Sequence, residues 1–79
     1  MEQRKFEAIL KILVPRIIHL IAVNYGLDEI SASTKFYTSK TYELLENEDT
    51  KLWHFSELTL FNMFDEERKT GKISFPEEV

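Results

Sequence analysis

The chain has 79 residues, 14 of them acidic, 10 basic and none cysteine, for a net charge of −4. This length fits one domain. The composition excludes disulfides, thiolate metal sites and a cysteine nucleophile, and it argues against a duplex-binding protein, which needs a basic face for phosphate.

The charge is uneven along the chain. Residues 1–24 carry four basic and two acidic groups, whereas residues 25–79 carry six and twelve. The basic groups of the first part are Arg4, Lys5, Lys11 and Arg16. Residues 3–24 read as a helix. At 100° per residue, Phe6, Ile9, Leu10, Leu13, Ile17, Leu20 and Ile21 share one broad arc. Arg4, Glu7, Lys11, Pro15 and His19 share the opposite one. Pro15 removes a backbone donor and crowds the carbonyl of Lys11, so this helix is expected to be kinked, or broken with Pro15 opening a second helix. Between Ala8 and Val23 twelve of sixteen residues are apolar. Lys11, Pro15, Arg16 and His19 interrupt that stretch below the roughly 18 uninterrupted residues a membrane span requires. The charges there also break the pattern of a signal peptide. The expected setting is the cytoplasm.

Gly26 fits a left-handed helix stop, with Leu27 making the hydrophobic contact that follows it. Asp28 is a suitable N-cap for a helix over residues 29–37, with Ile30, Thr34 and Tyr37 on one face and Phe36 beside them. Thr38 or Ser39 can cap a third short helix over residues 40–46, carrying Tyr42, Leu44 and Leu45. The polar run from Glu46 to Thr50 reads as a turn. Residues 51–55 read equally as one helical turn or as a short extended piece. Ser56 and Glu57 open a last helix. Its inward side is Leu60, Phe61 and Phe64, and its wet stripe is Thr59, Asn62, Glu66 and Lys69. Arg68 and Lys69 suit its C-terminal end, and Gly71 its stop. The tail, residues 72–79, contains Pro76 and reads as irregular, with Ile73 and Phe75 tucked back. Seven of the ten aromatic residues lie between Phe36 and Phe64, which places the centre of the core there. The expected fold is all-α: a single domain over residues 1–79, with four to five short helices in a compact irregular bundle over residues 3–70.

No constellation of residues specifies a chemistry. His19 and His54 stand 35 positions apart, and neither has a second ligand at zinc spacing. His54 has Ser56, Glu57 and Asp49 near it in sequence, but without a glycine-rich elbow Ser56 is better explained as a helix cap. The acidic stretch Glu43, Glu46, Glu48 and Asp49 lacks the glycine and alternating ligands of a calcium loop. Gly26 and Gly71 are the only glycines, so no phosphate-cradling loop can form. No metal and no cofactor are expected. Trp53 either lies in the core, with its indole N–H paired, or stands exposed as an anchor for a partner.

The first helix carries the functional hint. Ile18 shares the angle of Lys11 and Ala22, inside the polar arc, and Ile12 and Val23 flank that arc. If the helix is continuous, these groups stay uncovered and mark an interface. If Pro15 re-aims the second half, Ile18 enters the core. A folded chain this short hides only about 60% of its unfolded surface, so a partner surface would help it. The candidate interface residues are Ile12, Ile18, His19, Ala22, Val23 and Trp53.

The segments Asn24 to Leu27, Phe36 and Tyr37, residues 39–46 (SKTYELLE), and Leu52 and Trp53 together resemble a group of small uncharacterised bacterial domains, mainly Gram-positive. The resemblance covers about residues 22–55. It implies an all-helical domain and, because related domains lie beside toxin-like genes, an antitoxin or accessory binding role. It transfers no catalytic residue. The leading expectation is a non-enzymatic, self-associating protein-interaction module. A helix-turn-helix regulator is the alternative, although residues 29–37 offer it only Lys35. An enzyme without a recognisable site comes third.

Overall fold

The computed structural model describes residues 3–73, with side chains from Arg4 onward. The architecture is all-α. Four α-helices follow one another: α1 (Gln3–Tyr25), α2 (Glu29–Tyr37), α3 (Lys40–Leu45) and α4 (Glu57–Thr70). Two single 3-10 turns, Glu48–Thr50 and Leu52–His54, link α3 to α4. The 23 residues of α1 span about 35 Å at 1.5 Å per residue, which matches the longest dimension of the molecule, 35 Å.

Local chemistry fixes the helix ends. Gly26 adopts φ 65°, and the Leu27 N–H then reaches back to the Ala22 carbonyl at 3.0 Å, the bond that closes a Schellman stop. Asp28 accepts the Ser31 N–H and so caps α2. Ser39 accepts the Tyr42 N–H and caps α3. Ser56 accepts the Thr59 N–H and caps α4. Gly71, at φ 75°, donates to the Glu67 carbonyl at 2.7 Å and ends α4.

α1 runs through Pro15 without a break, so Pro15 does not open a second helix. Pro15 is exposed, which leaves the Lys11 carbonyl, deprived of its intrahelical donor, open to water.

Two bonds set the direction of α4. Arg16 pairs with Glu57, and Tyr25 donates to Asp65. Both chains advance together between these bonds, so α4 runs in the same direction as α1. α2 runs the other way: Glu29 at its start faces His19, while Tyr37 at its end shares a groove with Leu10, Val14 and Pro15.

The core comprises Val14, Ile17, Ile18, Ile21 and Ala22 of α1, Ala32 and Phe36 of α2, Leu45 of α3, Leu52, and Leu60, Phe61, Met63 and Phe64 of α4. Phe36 and Phe64 meet edge to face at 5.9 Å, and Tyr42 and Tyr25 extend the aromatic cluster on either side. The face of α2 shared by Ile30, Thr34 and Tyr37 is not its inward one. Ala32 and Phe36 are buried, whereas Ile30 is 80% exposed and Tyr37 half exposed. The ring of Phe36 takes the central position, and the helix turns to suit it, which carries Ile30 outward. Leu52 enters the core through a left-handed residue, Lys51 at φ 59°, a conformation costing a non-glycine residue on the order of 1–2 kcal/mol. Ile73 packs against the core. Phe75 and Pro76 lie outside the described residues.

Candidate functional site

Ile12, Arg16, His19 and Val23 recur at spacings of four, three and four, which puts them on one narrow face of α1. This face looks outward. Ile12 is 58% exposed and Val23 65%. The two polar members lean aside. The Arg16 guanidinium reaches Glu57 at 3.1 Å, at the start of α4, and His19 Nδ1 lies 3.7 Å from Glu29, at the start of α2. Exposed pairs of this kind contribute little stability, about 0–1 kcal/mol. They tie the polar members of the stripe to the starts of α4 and α2.

Leu58 and Ile30 stand one position beyond Glu57 and Glu29, and are 57% and 80% exposed. With Ile12, Val23 and Tyr37, they make up the five large exposed apolar side chains among the described residues.

Three of the six candidate interface residues do not belong to this surface. Ile18 and Ala22 are buried, at 7% and 8% exposure. The correction has a simple cause. α2, α4 and the turn at Leu52–His54 all pack on α1, so its covered arc is wider than contact with one neighbour would give, and a continuous helix still buries Ile18. Trp53 is half-buried against the core, and its indole N–H donates to the Glu48 carbonyl at 3.0 Å. Replacing Trp53 with Phe keeps one aromatic ring against the core and removes that bond together with some packing. The expected cost is about 1 kcal/mol in a urea melt, and an unchanged midpoint would show the bond to be idle. Ile12, His19 and Val23 remain on it. Sequence periodicity could not find the exposure of Ile30 and Leu58, because it depends on how α2 and α4 are rotated.

The other sequence features resolve into structural roles. The Ser56 hydroxyl caps α4 and lies 3.0 Å from the Thr59 hydroxyl. His54 stacks on Phe55 at 4.3 Å. No hydrogen bond joins His54 to Ser56, Glu57 or Asp49 among the described residues. No group of three His, Asp or Glu side chains there is placed to hold a metal ion. α2 and α3 each carry one lysine and one glutamate, so neither helix is net basic. No helix among the described residues is long and apolar enough to cross a membrane. No protein-family model matches the chain, and no curated protein or solved structure is detectably similar to it.

Proposed function

We propose that the protein is a non-enzymatic interaction module of the cytoplasm that self-associates through the outer stripe of α1. One observation carries this reading: Ile12 and Val23 stand 58% and 65% exposed on one outward face of α1. Large apolar side chains left uncovered on one helix face are a mark of an interface. The stripe also suits a two-fold arrangement. When two copies of α1 cross antiparallel about an axis midway between Ile12 and Val23, Ile12 of each copy meets Val23 of the other, as an isologous contact requires. The resemblance to domains encoded beside toxin-like genes extends the reading to a neighbouring gene product as a second partner.

Sedimentation equilibrium tests the proposal. The wild-type chain is expected to be dimeric at micromolar concentration. The double variant Ile12→Glu, Val23→Glu is expected to be monomeric with an unchanged helical circular dichroism spectrum, because both positions are exposed and lie outside the core. A wild-type chain that stays monomeric throughout the micromolar range contradicts self-association.

A further inference from the structure

A second surface lies where the end of α1 meets α2 and α4. A cleft of about 470 Å³ is lined there by Tyr25, Leu27, Lys35, Asp65, Arg68 and Lys69. Three of its six lining residues, Lys35, Arg68 and Lys69, are basic, in a chain of net charge −4. Its one carboxylate is already engaged. Asp65 accepts the Tyr25 hydroxyl at 2.7 Å and pairs with Lys69 Nζ at 2.9 Å, and these two contacts hold its carboxyl below the usual range. Burial, reinforced by Asp65, pushes the Tyr25 hydroxyl up to about 12, so it remains a donor at neutral pH.

Lys35 and Arg68 are the surplus. Neither forms an ion pair with a described carboxylate. The Arg68 guanidinium lies 5.8 Å from the Tyr25 ring centre and 6.0 Å from that of Phe64, so the aromatic floor orients it. Lys35 is half-buried, and its ammonium can give an incoming carboxylate a charge-assisted hydrogen bond. Beside these cations, Leu27 and the Tyr25 ring form an apolar wall.

We propose that this cleft docks an acidic segment of a partner protein, with a carboxylate between Lys35 and Arg68 and an adjacent apolar side chain against Leu27 and Tyr25. The wall favours a peptide over a free inorganic anion, which would engage the cations and leave the apolar side unused. Tyr25 packs toward the core, away from the outer stripe, so this site stands or falls independently of self-association.

Titration of the 15N-labelled protein with the peptide acetyl-Leu-Glu-Leu-Glu-Leu-amide tests the site. Its glutamine counterpart and inorganic phosphate form the other two arms. Saturable shifts are expected at the amides of Tyr25, Leu27, Lys35 and Arg68. The glutamine peptide and phosphate are expected to need at least about tenfold higher concentrations. The double variant Lys35→Glu, Arg68→Glu should weaken the acidic peptide by about tenfold or more. The milder Lys35→Gln should weaken it less, with the fold intact in either case by circular dichroism. Equal binding of the glutamine peptide, or unchanged affinity in both variants, overturns the proposal. Phosphate binding tighter than the acidic peptide overturns the peptide assignment in favour of a free anion.

Discussion

Replacing Phe64 with Ala is expected to remove about 3–5 kcal/mol, a large share of the domain's stability. Phe64 is fully buried. Its ring lies 5.9 Å from Phe36 and 6.0 Å from Tyr25, and so joins α4 to α2 and to the end of α1. Truncating a buried Phe costs about 3–5 kcal/mol through lost transfer energy and the cavity left behind. A domain of this length has roughly 4–12 kcal/mol of stability in total. The cavity would open between three helices, and none can close it without pulling away from another neighbour. Ile30→Ala is the matched control: at 80% exposure, its removal should change stability by no more than about 0.5 kcal/mol. Urea melts followed by circular dichroism give both values. A Phe64→Ala protein within about 1 kcal/mol of wild type would show that the aromatic cluster is not the centre of the fold.

The second large effect is expected at Glu67. α3 has only six residues and needs its first four N–H groups satisfied. The Ser39 N–H bonds the Phe36 carbonyl, and the Tyr42 N–H bonds the Ser39 hydroxyl. The remaining two, on Lys40 and Thr41, are both taken by the Glu67 carboxylate at 3.0 and 2.9 Å. Glu67 also accepts the Thr41 hydroxyl at 2.8 Å, and its negative charge sits at the favourable end of the α3 dipole. Thr41 is completely buried, so Glu67→Ala strands polar groups away from water. The expected loss is about 2–4 kcal/mol at neutral pH.

The same residue sets an acid dependence. Burial alone would raise the Glu67 carboxyl, but the bonds from Lys40 and Thr41 outweigh it and hold the group below the usual glutamate value. A lowered native pKa means that this stability is fully present above the unfolded-state value, near 4.5, and is lost as pH falls through the native one. Asp65, held low by Lys69 and Tyr25, acts in the same direction. Wild-type stability should therefore fall between about pH 5 and pH 2, and Glu67→Gln should flatten part of that slope because glutamine has no proton to take up. An identical acid slope in wild type and Glu67→Gln would remove Glu67 from the account.

Much of the architecture is written locally. Asp28, Ser39 and Ser56 each cap the helix that follows them, and Gly26 and Gly71 each stop one. These effects act over three or four residues, so the sequence carries them in full. The strong alternation of α1 likewise fixes Ile17 and Ile21 inward and leaves Ile12 and Val23 outward. The Leu52–His54 turn is less legible, because it depends on Lys51 accepting a left-handed backbone, a strain that only the burial of Leu52 can sustain.

Capping and hydrophobic periodicity are short-range, so the all-α class, the capped and glycine-stopped helix ends and the inward face of α1 could be read from the residues alone. Tertiary structure alone decided that Ile18 and Ala22 are covered while Ile30 and Leu58 are not. It alone brought Glu67 to a helix start 27 positions away and gathered Lys35, Arg68 and Tyr25 around one cleft. Each of these outcomes depends on how far one helix rotates against another. That rotation is set by the fit of Phe36 and Phe64 at the centre, a packing match between residues far apart in the chain that no local pattern encodes.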